Sequence, residues 1–195
     1  MPNKENDMLN RRRFIASLTL SSLSLAVNCA FAQTAPKNNK LIVFFSWSGN
    51  TRYIANILRQ KTGADLFEIE LEKPYSTNYS QCLDEAKRDQ RQAARPRIQS
   101  QVANIAQYET IFLGYPNWWA TIPMPIASFL ESYDLSGKRI APFCSHGGGR
   151  LGQSVTDISK LAPNSEVCEG LSVHYRGGSN LEENIDHWLR ANALI

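Results

Sequence analysis

Five consecutive apolar residues, Leu41-Ile42-Val43-Phe44-Phe45, run directly into Ser46-Trp47-Ser48-Gly49-Asn50-Thr51 and then into a helical pattern. A strand without a polar side must be covered on both faces, which is the situation of an inner strand in a parallel sheet flanked by helices. The following segment, 50–61, places Ile54, Ile57 and Leu58 on one helical face. This strand–loop–helix junction begins a repeating order. Segments 110–114 and 140–144 are again continuous apolar runs, 65–71 alternates as an edge strand does, and 166–174 reads as a fifth strand. Helical patterns fill 125–133, 151–161 and 181–192, and 80–94 reads as a charged surface helix before Pro96 interrupts the chain. Five strands alternating with helices predict an α/β sandwich, a parallel sheet with helices on both faces.

At 195 residues the chain suits one domain preceded by a leader. Asn10-Arg11-Arg12-Arg13-Phe14-Ile15 resembles a twin-arginine export motif, an apolar Ser-rich run extends to Val27, and Ala30-Phe31-Ala32 is a small-x-small cleavage pattern. The expected division is a signal peptide over 1–32, cleaved after Ala32, a polar linker over 33–39 and one domain over 40–195, located in the periplasm. The apolar run is too short to span a bilayer, so no stable membrane insertion is expected after cleavage. The leader holds four of the 21 basic and two of the 18 acidic groups, so the remainder is close to neutral. That balance gives no reason to expect a nucleic-acid partner. Beyond the leader three cysteines remain, Cys82, Cys144 and Cys168, without the short spacing of a zinc site or the even number of a disulfide framework. No metal site is expected.

The loop at residues 46–51 carries the chemistry. A helix N-terminus presents unpaired backbone N–H groups and a partial positive charge, which favour an anion. Ser46, Ser48 and Thr51 offer hydroxyl donors, and Gly49 permits a backbone conformation and a close approach that other residues resist. The other reading of the same loop is a plain connection in which Ser48 caps the helix. The GxxxxGK[ST] and GxGxxG patterns are absent, which argues against a P-loop hydrolase and against a dinucleotide fold.

Ser-x-Ser-Gly-Asn-Thr after an apolar first strand resembles the flavodoxin phosphate loop. The resemblance extends to Gly114-Tyr115-Pro116-Asn117-Trp118-Trp119 after the third strand. It continues in Ser145-His146-Gly147-Gly148-Gly149-Arg150-Leu151-Gly152 after the fourth, and covers essentially residues 40–194. It implies a flavodoxin-like three-layer sandwich with sheet order 2-1-3-4-5 and FMN as cofactor, bound beyond the carboxyl ends of the strands. The implied cofactor-binding residues are Ser46, Trp47, Ser48, Gly49, Asn50 and Thr51 for the phosphate. Pro116, Asn117, Trp118, Trp119, Ser145, His146, Gly147 and Gly148 are implied for the ring. Aromatic side chains suit a flat ring, and a Gly-rich turn can donate N–H groups to its edge. Trp118 and Trp119 are adjacent, so one is expected to face the ligand and the other to pack into the sheet.

Other residues have blander readings. Trp188 falls on an apolar helical face and is expected in the core, and Pro123 and Pro125 start a helix. His146 reads either as a flavin hydrogen-bond partner or as a solvated loop histidine, and His174 and His187 receive no role. Arg150 and Arg176 read as surface arginines, with attraction of an anionic reduced flavin or NAD(P)H as the other possibility.

The resemblance implies electron transfer by bound FMN, to a redox partner protein or to a quinone-like acceptor. The near-neutral domain departs from the strong acidity of electron-carrying flavodoxins, which keeps an NAD(P)H-dependent quinone reductase as the alternative. A flavin-free binding module of the same shape is a further class. No side chain is an evident acid, base or nucleophile, and neither Ser48 nor Ser145 sits in G-x-S-x-G.

Overall fold

The structure is a computed structural model and describes residues 39–195. The expected signal peptide and all but the last residue of the expected linker lie outside the described residues.

The strands β1 (Lys40–Phe44), β2 (Asp65–Glu68), β3 (Thr110–Pro116), β4 (Arg139–His146), β5 (Glu166–Val167) and β6 (Leu171–His174) form one sheet. Every pairing is parallel and the order is β2-β1-β3-β4-β5, with β6 also on β4. The helices α1 (Asn50–Thr62), α2 (Tyr79–Arg91), α3 (Met124–Glu131), α4 (Ser154–Leu161) and α5 (Leu181–Ala191) are the flanking layers.

The apolar run that opens the domain is explained by the two cores it serves. Leu41 and Val43 point to one face and pack with Ile126 and Phe129 of α3 and Ile158 of α4. Ile42 and Phe44 point to the other and pack with Ile54 and Leu58 of α1 and Ile185 and Leu189 of α5. Alternate residues of one strand therefore enter separate cores, so no position is left for a polar side chain. Trp188 is buried in the α5 layer, as its helical position predicts. The cysteines Cys82, Cys144 and Cys168 are all buried and unpaired. Desolvation raises all three thiols, Cys82 to about 11 and Cys144 to about 12, so they stay protonated at neutral pH.

Two segments depart from the expected regularity. β2 ends at Glu68, but Ile69 still donates to the Phe44 carbonyl and Leu71 bridges Ile98 in antiparallel fashion. The irregular stretch after α2 thus folds back over the sheet edge and covers apolar residues that would otherwise be exposed. The fifth strand is split into β5 and β6. Between Ile140 and Phe143 β4 advances three residues, while the facing chain advances four, from Val167 to Leu171. The extra residue is a bulge in the fifth strand position. α5 holds it there: the Trp188 indole N–H donates to the Glu169 carbonyl at 2.7 Å, and the Glu169 N–H donates to Asn192 Oδ1 at 3.1 Å. The bulge adds one residue and no inserted element.

Candidate functional site

Parallel packing brings the loops after β1, β3 and β4 to the same carboxyl-end edge of the sheet, at the point where strand order reverses. The first loop turns at Gly49, whose φ of +83° is left-handed, and this residue begins α1 without any side-chain cap. Ser48 is exposed and does not cap the helix. Instead the Arg52 N–H donates to Ser46 Oγ at 3.3 Å and the Tyr53 N–H to the Gly49 carbonyl at 3.1 Å. The amides of Gly49, Asn50 and Thr51 have no acceptor among the described residues. α1 also has no acidic residue in its first turn. A helix end that satisfies its amides neither with a cap nor with a carboxylate is open to an external anion.

Thr51 is buried, and its hydroxyl shares a 2.9 Å hydrogen bond with the buried Ser145 hydroxyl. That contact ties the first turn of α1 to the end of β4. Trp47 is fixed from the other side, its indole N–H donating to the Ser76 carbonyl at 2.9 Å. Beside this half of the loop lies a cavity of about 640 Å3, walled by Phe45, Trp47, Tyr75 and Leu71 and extending to Ser46 and Ser48. It opens on the β2 side of the loop, and none of Pro116, Asn117, Trp118, Trp119 or residues 145–148 lines it.

After β3 the chain makes a two-residue turn. Trp118 and Thr121 exchange backbone hydrogen bonds at 3.1 Å, with Trp119 and Ala120 at positive φ between them. Consecutive side chains across so tight a turn diverge. Trp118 turns inward, edge-on to Phe45 and Tyr75 with centroids at 5.4 and 5.1 Å. Trp119 turns outward to α2, its indole N–H donating to the Leu83 carbonyl and the Lys87 ammonium lying 4.5 Å over its ring. The structure separates the two tryptophans, with Trp118 packed on Phe45 and Tyr75 and the exposed Trp119 against α2. Asn117 joins the β3 and β4 loops: its N–H donates to the Ser145 carbonyl at 2.8 Å, and its side-chain amide to the Gly149 and Arg150 carbonyls. Pro116 is the last residue of β3, paired with Ser145.

In the β4 loop His146 Nδ1 accepts the Gly148 N–H at 3.0 Å, and Nε2 lies 2.9 Å from Ser172 Oγ. An accepting Nδ1 leaves the proton of the neutral ring on Nε2, where it is donated to Ser172. The Gly148 amide is therefore committed to His146. His174, given no role from sequence, lies with its ring centroid 5.7 Å from that of His146. Burial first, then the charges of His174 and Arg150, hold the His146 pKa below the usual histidine value. The fold thus favours the neutral ring. As the pH falls through the ordinary histidine range the unfolded chain takes up this proton first, and stability is lost. The expected NMR titration of His146 has a midpoint below about 6.5, with the Gly148 amide resonance shifting at the same midpoint. A midpoint at or above that value contradicts the arrangement.

Arg176, read from sequence as a surface arginine with attraction of an anion as the other possibility, is exposed and donates from Nε to Asn50 Oδ1 of the first loop at 3.2 Å. No sequence signal could place it there, because its position depends on the register of β6 against β4. Among the described residues no cluster of His, Cys, Asp or Glu could hold a metal ion, and no helix is long and apolar enough to cross a membrane.

A parallel sheet of this order, with an uncapped helix end after its first strand and two further loops converging on it, defines a flavodoxin-like α/β protein. The family profile described as Flavodoxin matches residues 39–192, and the chain belongs to the flavodoxin family. Among solved structures it is similar to a protein from Bacteroides eggerthii provisionally named a flavoprotein. Identity there is 31% and the TM-score 0.71, over 80% of this chain and 98% of that one. A flavoprotein from Lactobacillus acidophilus, solved in complex with FMN, shares the fold at 23% identity with a TM-score of 0.61, covering 77% of this chain and 98% of that one. Oxidised flavodoxin 2 from Bacillus cereus shares it at 20% identity with a TM-score of 0.53, over 80% and 98%. No curated protein matches the chain.

Proposed function

We propose that the protein binds FMN, with the phosphate on residues 46–51 and the ring system against the loops after β3 and β4, and serves electron transfer in the bacterial cell envelope. The observation that carries this reading is the α1 N-terminus: left-handed Gly49, three amides without an acceptor among the described residues, no side-chain cap and no carboxylate in the first turn. Those features fit a phosphate monoester, and they sit where this fold binds its ligands. Family membership and the L. acidophilus neighbour solved with FMN support the choice of flavin.

FMN, when bound, supplies the redox chemistry, and the protein supplies position and electrostatics. The amides and the Ser46 and Ser48 hydroxyls would hold the phosphate. Thr51, locked to Ser145, keeps that grip in register with the β4 loop. Asn117 keeps the β3 and β4 loops at a fixed separation. Export with the cofactor already in place accords with the twin-arginine-like segment at residues 10–15. The test is to express the full chain in a bacterium with a twin-arginine pathway and to analyse the periplasmic protein by mass spectrometry. Co-purification of FMN is expected; a colourless periplasmic protein free of flavin contradicts the reading.

A further inference from the structure

We infer that Arg176 is a phosphate-binding residue, a guanidinium that stands beside Gly49 and Asn50 and joins the helix amides at the loop 46–51. The inference rests on the FMN reading above and adds to it a cation that the loop itself lacks. Arg52, the basic residue nearest in sequence, is already committed: its Nε donates to Glu68 Oε2 at 2.9 Å and its Nη2 pairs with Oε1 of the same carboxylate. Arg176 has no such partner. Among the described residues no carboxylate lies within ion-pair distance of it.

What holds Arg176 is neutral and belongs to the start of α1. Its Nε donates to Asn50 Oδ1, and its Cζ lies 5.5 Å from the centroid of the Tyr53 ring. A Cβ built on Gly49 would lie 3.8 Å from Nη2, so the guanidinium stands directly beside the left-handed residue of the loop. The backbone on either side is pinned as well. The Tyr175 N–H donates to the His146 carbonyl and the Gly177 N–H to the His174 carbonyl, both at 2.8 Å. Arg176 is thus an exposed cation held by an amide and an aromatic ring at an amide-lined helix end, with no carboxylate partner among the described residues. A phosphate monoester carries close to two negative charges at neutral pH and offers several acceptor oxygens, which a planar guanidinium meets in fork geometry. The phosphate is then gripped from two sides, by α1 and by the turn after β6. The same arrangement makes discrimination between FMN and riboflavin depend on charge, and so on ionic strength.

The test compares the full chain with Arg176→Gln and Arg176→Lys. Each is titrated with FMN and with riboflavin by flavin fluorescence at low and high salt, with melting temperatures recorded alongside. Arg176→Gln should weaken FMN about tenfold or more, leave riboflavin unchanged and flatten the salt dependence. Arg176→Lys should recover part of the loss, since it restores charge without the planar fork. If the wild type prefers FMN and Arg176→Gln binds it equally well, the clamp is overturned while the FMN reading stands. Parallel loss of FMN and riboflavin makes Arg176 a structural tether and also overturns the clamp. A wild-type chain that binds no FMN removes the underlying reading and the clamp with it.

Discussion

Replacing Gly49 with aspartate is expected to weaken FMN binding at least about 100-fold, while riboflavin binding stays nearly unchanged. The effect does not depend on unfolding the loop. Gly49 has a φ of +83°, a region that aspartate tolerates better than most residues. An added Cβ meets nothing closer than Arg176 Nη2 at 3.8 Å and Arg52 Nη1 at 4.0 Å, which is ordinary contact. What changes is the field. A carboxylate about 4 Å from a phosphate charge costs on the order of 4 kcal/mol at an effective dielectric of about 20. Arg176 and Arg52 would offset part of that. About 2.7 kcal/mol remaining corresponds to about 100-fold. Gly49→Asn, of the same shape without the charge, should lose much less. Equal losses of FMN and riboflavin in Gly49→Asp, or none at all, would place the phosphate elsewhere.

The other large effect is expected at Gly152, where two site loops meet backbone to backbone. Its φ is +52°, and a Cβ there would lie 2.3 Å from the Ala120 carbonyl oxygen and 2.8 Å from the carbonyl carbon. Neither atom can swing aside as a side chain does. The Gln153 N–H donates to the same carbonyl at 2.7 Å, so the contact also holds the β3 turn against the β4 loop. Gly152→Ala must push the turn at Trp119 and Ala120 away, straining both that bond and the Asn117 bridge. A cost of about 3 kcal/mol is expected, which for a domain of this size lowers the melting temperature by roughly 6–12 °C. Both loops are proposed to face the ring, so FMN and riboflavin should weaken together, unlike the pattern at Gly49. A melting temperature equal to the wild type's would mean that the loops are not in contact here.

The contrast between these two glycines parallels what could be read from sequence. Leu41 to Phe45 announced a doubly covered strand because each alternate residue enters a different core, and that requirement is local to the strand. The strand–turn–helix junction at 46–51 was legible for a similar reason: a left-handed turn into a helix needs only Gly49 and the apolar strand before it. The bulge between β5 and β6 was not legible, since it is imposed by Trp188 of α5 and by Asn192, which caps that helix. The adjacency of Trp118 and Trp119 left open which of them packs inward; the structure packs Trp118 on Phe45 and Tyr75. The turn that sets it uses Trp119 and Ala120 at positive φ, without the Asn or Gly that marks such turns. His174 received no role and Arg176 was read first as a surface arginine, because β6 reaches His146 and Asn50 only through long-range strand register.

Whether the α1 N-terminus holds a flavin phosphate is decided by titrating the full, cofactor-stripped chain with FMN and with riboflavin. Quenching of FMN fluorescence to a saturable end point is expected, with FMN bound at least about 100-fold more tightly than riboflavin and the difference shrinking at high salt. FMN fluorescence left unchanged by excess protein, or equal affinity for the two flavins, would contradict a flavin phosphate at that site.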